Sequence, residues 1–312
     1  MMPADQTYPH VPVLNREVLA YLKPTSNGKY LDATLGAGGH AEAILTASQP
    51  DGSLIGLDID HHAVAIASER LRGFSKRASI FNISYTEMKT CLQKVGWNCV
   101  DGIVFDLGIS SMQVDSAERG FSFHQAGPLD MRFDDHATFR ASDLLNDWSE
   151  EEIASTLWNY GEEPKAHAIA KAICAARPLH TTTQLAQLVQ SVYGGQKSRI
   201  HPATRTFQAI RIAVNQELSV LEKGINLAIT QLCAGGKIAV ISFHSLEDRI
   251  VKDIFKRESR DCICPPEQPV CTCQHKASLA ILTKKPVTAS DEEIRINPRS
   301  RSAKLRVAQK IG

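Results

Sequence analysis

The stretch Tyr30-Leu-Asp-Ala-Thr-Leu-Gly-Ala-Gly-Gly-His40 constrains this chain more than any other. A short apolar run breaks into glycines and resumes as Ala41-Glu-Ala-Ile-Leu45, a helical pattern. Strand, glycine turn and helix in that order form a unit that binds nucleotide-like ligands on a parallel sheet. Glycine is needed where the ligand approaches backbone that a Cβ would block. A second strand, Leu54-Ile-Gly-Leu-Asp58-Ile-Asp60, follows and ends in carboxylates. An acid there, about 20 residues past the glycines, is placed to bind ribose hydroxyls. A bare glycine turn does not account for strand, helix and acid falling in register.

Two ligands fit this pattern. Gly36, Gly38 and Ala41 satisfy the permissive dinucleotide fingerprint, a weak signal alone. S-adenosylmethionine would put its adenosine half in the same crevice. Asp32 lies inside the first strand, where a carboxylate can meet the methionine ammonium. The Gly-Ala-Gly-Gly turn resembles the first motif of class I methyltransferases. A helix-length segment also precedes the first strand, where dinucleotide domains often begin directly. These features favour the methyl donor and leave a dinucleotide-dependent oxidoreductase open.

At 312 residues the chain can bury a sizeable core in one large domain or two smaller ones. With 43% apolar and 22% charged residues it has a globular composition, and no apolar run reaches membrane-span length. Residues 1–12 lack a basic-then-apolar signal pattern, so cytoplasm is the expected compartment and no membrane partner is implied. There the eight cysteines are expected to be reduced thiols or metal ligands, not disulfides. A net charge of +1 does not mark a nucleic-acid binder. Its distribution says more: from Arg295 to Gly312 every charged side chain is basic, including Arg299, Arg301, Lys304 and Arg306. Gly195–Gln216 has no acid and carries Lys197, Arg199, Arg205 and Arg211. Such tracts suit an anionic macromolecule, although for either tract alone an ordinary solvated surface is the better reading.

Residues 8–23 read as an extended entry and a helix with Asn15 as its cap. Helices are expected at His61–Leu71 and Glu87–Val95, and strands at Ala78–Ser84 and Val100–Asp106. After Asp106 periodicity stops, and Leu107–Asp135 reads as a long loop where such sheets place their chemistry. Ser149-Glu-Glu-Glu152 is a capping box opening a helix, and Pro164–Arg177 and Thr182–Tyr193 read as two more. No strand signal interrupts 137–196. A helical insertion over 137–200, for substrate recognition, is therefore expected inside a domain built from 1–136 and 201–312. A long helix from Pro202 to Leu232, a fifth strand at Gly235–Phe243 and a helix from Ser245 follow. Two more strands are expected at Ser278–Thr283 and Ala303–Ala308. The alternation predicts an α/β fold with a doubly wound, mostly parallel sheet.

Several segments then converge: His10-Val-Pro-Val-Leu14, Asp32 to His40, Asp106-Leu-Gly-Ile-Ser-Ser111, Glu118 to Phe123, Gly127 to Asp134, Ser242 to Arg249 and Asn297 to Arg306. In this order they resemble the bacterial ribosomal RNA small subunit methyltransferase H family over nearly the whole chain. The resemblance implies a class I methyltransferase domain with a helical insertion. It implies methylation of the exocyclic N4 of a decoding-centre cytidine in 16S rRNA of the small ribosomal subunit, from S-adenosyl-L-methionine; the alternative is a class I methyltransferase acting on another substrate, such as a protein or small molecule. By resemblance Gly38, Gly39 and His40 contact the donor, Asp58 holds its ribose, Tyr85 lies near adenine, and Asp106 and Gln113 complete the set. Met112 stands where many members have proline, which loosens the placement of Gln113. Oligomeric state stays open, a homodimer included.

Cytosine N4 is a poor nucleophile because its lone pair is delocalised into the ring. An acceptor for an N4 hydrogen helps, and Asp106 or a backbone carbonyl in 107–110 is the candidate. The base-stacking partner is sought among Phe121, Phe123 and Phe133, since Asp106 is not followed by the Pro-Pro-aromatic run of many amino-methyltransferases. C5 methylation needs a nucleophilic cysteine, and none follows the fourth strand. Asp130 and Arg132 are candidate substrate contacts or a loop-pinning pair, with the family motif favouring the site. His244, past the fifth strand, is either a pocket residue or a loop-closing histidine. Arg299 and Arg301 are candidate RNA contacts. Cys262, Cys264, Cys271 and Cys273 form two Cys-x-Cys pairs, read either as a structural zinc site or as free thiols. Cys91, Cys99, Cys174 and Cys233 read as core.

Overall fold

The computed structural model describes residues 12–194, 201–265, 267–268 and 270–312. The expectations at His10, Lys197 and Arg199 lie outside the described residues. The chain divides into two compact units, one formed by the chain through Gly108 and again by Val220–Gly312, the other by Ile109–Ser219.

The first unit begins with α1 (Asn15–Leu22), β1 (Lys29–Asp32), α2 (Gly39–Ala47), β2 (Ser53–Asp58), α3 (His61–Arg70), β3 (Ala78–Asn82), α4 (Met88–Val95) and β4 (Val100–Asp106). The second unit carries α5 (Ser111–Asp115), α6 (Ala141–Asp147), α7 (Glu150–Gly161), α8 (Ala166–Ala175), α9 (Thr182–Val192) and α10 (Ala203–Asn215). α11 (Glu217–Gln231), β5 (Leu232–Ser242), α12 (Ser245–Glu258), β6 (Leu279–Ile281), β7 (Val287–Thr288), α13 (Asp291–Ile296) and β8 (Lys304–Lys310) follow.

The strands form one sheet in the order β3-β2-β1-β4-β5-β8-β6, with β7 also pairing β8. β1 to β5 run parallel, and β8 runs antiparallel to β5, β6 and β7. Alternate residues explain why helices cover both faces. Leu31, Ile55, Ile103 and Ile238 pack with residues of α4, α11 and α12. Tyr30, Leu54, Val104 and Ala239 pack with residues of α1, α2 and α3. Sheets buried on both sides read as nearly continuous apolar runs, as Ile238–Ile241 does. Strand order reverses between β1 and β4, and the crevice at the carboxyl ends of such strands is where doubly wound folds bind ligands.

The second unit has its own apolar core, drawn from Leu144, Ile153, Leu157, Ile169, Ile173, Leu185 and Ile210 among others. The insertion expected over 137–200 lies inside it. Ser149 caps α7 through the expected box, its Oγ accepting from Glu152 N–H. The segment read as a loop after Asp106 contains the short α5, and α6 and α13 had no clear periodic signal.

Three local expectations are corrected. Asn15 lies inside α1, whose cap is Leu14 at φ +53. The long helix from Pro202 is two, broken at Gln216, whose φ of +50 ends α10. The break follows Asn215, whose amide donates to Met131 O at 2.7 Å and accepts from Phe133 N–H at 2.7 Å, so the helix end is spent holding a loop. Finally, Cys99 and Cys233 form a disulfide, against the expectation of reduced thiols or metal ligands, and both are half-buried and not core. The parallel pairing of Val100 with Leu232 brings these neighbours to a Cα–Cα distance of 5.0 Å, within disulfide reach. The other six cysteines are free. Among the described residues, no helix is long and apolar enough to cross a membrane.

Candidate active site

The glycine loop leaves β1 after Asp32. Gly36 and Gly38 have φ of +50 and +79, a conformation that side chains disfavour. The end of β2 holds this turn. Asp58 Oδ2 accepts the Gly36 N–H at 2.7 Å, and Oδ1 accepts the Asp60 N–H at 2.9 Å. Desolvation pushes the Asp58 carboxyl up to about 6, against the pull of these N–H donors. Asp60 caps α3 through His62 N–H at 2.9 Å. Asn82 donates to the carbonyls of Asp58 and Ile59, both at 2.9 Å. The Gly36 contact is a role for Asp58 that the ribose expectation did not include.

Across the switch point, three titratable side chains meet. Asp32 is 1% exposed and His40, in the first turn of α2, is 4% exposed. His40 Nε2 lies 3.6 Å from Asp106 Oδ2 at the end of β4, an ion-pair contact beyond hydrogen-bond length. Both His40 ring nitrogens and Asp106 Oδ1 are covered and have no hydrogen-bond partner among the described residues. Burial pushes the Asp32 carboxyl up to about 7, although His40 and the Thr34 N–H oppose the shift. Burial also works against a charged His40, but the carboxylates of Asp106 and Asp32 outweigh it and raise its pKa. Thr34 completes the arrangement: its Oγ1 accepts the Asp106 N–H at 2.6 Å, and its own N–H reaches Asp32 Oδ1 at 3.2 Å. Two carboxyls around one imidazole favour a cationic ligand and a proton in transit. Thr34 was invisible as a site residue because a threonine after a strand carries no motif signal of its own.

The other expected residues are placed as follows. Tyr85 follows β3 and packs edge-on against Phe105 at 5.3 Å, and a Cβ on Gly224 would meet its ring at 2.4 Å. His244 is the N-cap of α12, with Nδ1 accepting the Glu247 N–H at 3.4 Å and Nε2 lying 3.2 Å from Glu247 Oε1. Glu247 Oε2 accepts the N–H groups of Phe243 and His244 at 2.8 and 3.3 Å. His244 thus closes the loop after β5, two residues past the strand end and at the sheet edge that carries Asp106. Glu247 was missed, although its place three residues after a cap is a capping-box signal.

In the second unit, Gln113 shares a capping box with Ser110, Oε1 accepting Ser110 N–H at 3.1 Å. Asp130 accepts three hydrogen bonds from Arg132, two from the guanidinium at 2.8 and 2.7 Å and one from the backbone N–H at 3.1 Å. The guanidinium also donates to the carbonyls of Asp135 and Ala137. These bonds hold the Asp130 carboxyl below its usual range despite partial burial. The pair therefore pins its loop. Phe121 stacks on Phe133 at 5.5 Å, and Phe123 on His201 at 4.5 Å, so all three phenylalanines have partners inside this unit.

The C-terminal basic tract divides. Arg299 and Arg301 are exposed in the turn at Pro298–Ser302. Arg306 is instead buried against Asp248, at 2.6 and 3.1 Å, and Lys304 reaches the same carboxylate at 3.5 Å. Arg211 of the other tract pairs with Glu217 at 2.7 Å. Cys262, Cys264, Cys271 and Cys273 bring their sulfurs within 4.8 Å of one another.

A family model described as the MraW methylase family matches residues 7–311. The chain is 51% identical over 312 residues to the ribosomal RNA small subunit methyltransferase H of Trichlorobacter lovleyi, covering 98% of this chain and 100% of that protein. Identity to the protein of that name from Thermomicrobium roseum is 51% over 305 residues, 97% of this chain and 94% of the other. For the Dehalococcoides mccartyi protein it is 49% over 304 residues, 97% and 87%. The match includes the glycine loop and both ends of the sheet, so the loop is that of a methyl-donor enzyme and the dinucleotide alternative falls. The chain belongs to the MraW methylase family.

Proposed function

We propose that the protein transfers a methyl group from S-adenosylmethionine to the N4 of a decoding-centre cytidine in 16S rRNA, acting on the small ribosomal subunit in the cytoplasm. The observation that carries this reading is the Asp32–His40–Asp106 cluster beside the glycine loop at the switch point.

The residues fit the donor. Asp32 offers a buried carboxylate to the methionine ammonium, and Asp58 stands at the end of β2 for the ribose. Among the described residues the His40 nitrogens and Asp106 Oδ1 accept or donate no hydrogen bond, so they are polar atoms that a ligand would satisfy. Tyr85 and Gln113 join the donor set by family resemblance. When bound, the donor supplies an electrophilic methyl on a sulfonium. The chain contributes alignment and proton handling. Asp106 accepts a hydrogen from N4, which lets the nitrogen lone pair localise toward the methyl. Thr34 holds the Asp106 backbone, and His40 steadies its carboxylate from the other side. Ile109–Ser219 serves substrate recognition, with Asp130 and Arg132 shaping its loop. Arg299 and Arg301 supply further RNA contacts, and His244 holds the loop after β5 beside the site.

The test uses labelled donor with isolated 16S rRNA and with assembled small subunits, followed by nuclease digestion and mass spectrometry. N4-methylcytidine at one decoding-centre position supports the reading. Label on another atom, or on protein, overturns it.

A further inference from the structure

The connection from α12 to β6 has a feature that methyl transfer does not use. Among its described residues from Ser259 to Ser278 none is buried, so no apolar core orders it. Yet four thiols, from Cys262, Cys264, Cys271 and Cys273, converge within 4.8 Å. Cys271 and Cys273 sulfurs are 3.6 Å apart, and Cys273 and Cys262 sulfurs 3.9 Å apart. A zinc–thiolate bond of about 2.3 Å sets the edge of a tetrahedral four-sulfur site at about 3.8 Å. These two separations bracket that edge, whereas disulfide bonding would bring sulfurs to about 2 Å.

We infer that these four cysteines form a structural zinc site that closes the α12–β6 connection. Four protein ligands leave no open position, the mark of a structural rather than a catalytic ion. His275 is not a ligand, because its Nδ1 lies 2.8 Å from Arg260 O and its Nε2 3.7 Å from Glu258 Oε2. Instead it belongs to the base of the loop. There Ser278 N–H and Oγ bond Glu258 at 2.8 and 2.9 Å, and Ala277 N–H reaches Asp261 at 3.2 Å. Hydrogen bonds thus shut the base, and the metal orders the tip.

Sheet register separates this site from the chemistry. β6 starts at Leu279 opposite Lys310, and the neighbouring Gln309 pairs with Lys237 near the start of the parallel part of β5. Asp106 pairs with Ile241 at the other end of that strand. The zinc loop therefore leaves the sheet at the edge opposite the glycine loop, and the ion takes no part in methyl transfer.

The full-length protein, purified under reducing conditions without chelator, is analysed for metal, exchanged with cobalt(II) and subjected to limited proteolysis. The expected result is about one zinc per chain and thiolate-to-cobalt charge-transfer absorption of a tetrahedral site. Cys262→Ser with Cys264→Ser should lose the metal and speed cleavage within 259–278, with S-adenosylmethionine affinity unchanged. Should the double variant fold poorly, Cys271→Ser gives the same readout from one ligand, and His275→Ala should keep its zinc. Metal-free wild-type protein that shows no thiolate bands with cobalt overturns the site. So does zinc retained by the cysteine variants.

Discussion

His40 Nε2 and Asp106 Oδ2 face each other across 3.6 Å, one from the head of α2 and the other from the end of β4. Asp32 is the third member of this group, with its carboxyl pushed up to about 7 by burial. An unfolded aspartate titrates near 3.9. Below that value both states hold the proton. As pH rises to about 7 the unfolded chain loses it first, so the burial of Asp32 costs increasing stability through this window and a constant amount above it.

Donor binding should show the same group. If the methionine ammonium meets Asp32, binding selects the carboxylate and releases a proton below about pH 7. S-adenosylmethionine affinity should then rise by up to roughly tenfold per pH unit toward neutrality and level off above it. Asp32→Asn should weaken binding and flatten the profile. Calorimetry in buffers of differing ionisation enthalpy counts the proton, and a flat profile in the wild type would detach Asp32 from the ammonium. His40 is the charged partner that acts most strongly on Asp32, so His40→Gln serves as a control for the imidazole.

Asp106→Asn keeps the size of the side chain and removes its charge. Turnover should fall about 100-fold or more, the low end of general-base effects. Donor affinity should fall by much less. Single-turnover methylation of small subunits, run alongside donor titration, separates the two effects. Equal losses in both would make Asp106 a donor ligand alone.

Asp58→Ala removes the acceptor proposed for the ribose and the observed acceptor of the Gly36 and Asp60 N–H groups. Hydrogen bonds to a charged group contribute about 1.5–3 kcal/mol. Donor affinity should therefore drop roughly 10–150-fold. Amide exchange at Gly36 should also accelerate in the donor-free protein. Unchanged affinity in calorimetry would leave Asp58 as a loop anchor only.

Arg299→Ala with Arg301→Ala should weaken small-subunit binding and flatten its salt dependence by up to about 2 units, close to one per phosphate contact. Donor affinity should stay the same. Loss of donor binding with the salt slope intact would place these arginines in the donor pocket or the core, and move the RNA footprint elsewhere.

Arg306→Met, by contrast, is expected to act on stability. It strands Asp248, whose carboxyl is held below its usual range by Arg306 and Lys304 even though burial opposes this. Breaking such a pair typically costs about 3–5 kcal/mol, and Lys304 should hold the loss near the lower end. The pair's contribution is present above the unfolded carboxyl pKa and is lost as pH falls through the lower folded one. Urea unfolding at neutral and acid pH measures both effects. A variant as stable as wild type but with a reduced RNA salt slope would return Arg306 to the basic surface.

What the sequence determined by itself was local. The glycine loop, the acid at the end of β2, the carboxylate ending β4 and the Ser149 cap are each set by a few consecutive residues whose backbone needs and burial period show in the letters. The order of strands and helices follows from the same periods. Tertiary structure decided the pairings. Cys99 met Cys233 because β4 and β5 are neighbours, and Arg306 met Asp248 because β8 lies next to β5 ahead of α12. Asn215 ended a helix because the loop at Met131 and Phe133 needed its amide. Periodicity records which face of an element is buried, but not which other face it meets, and that choice rests on packing and strand register across the whole sheet. For the same reason Arg299 and Arg306, alike in sequence, came to differ: one stands in an exposed turn and the other on a buried face of β8.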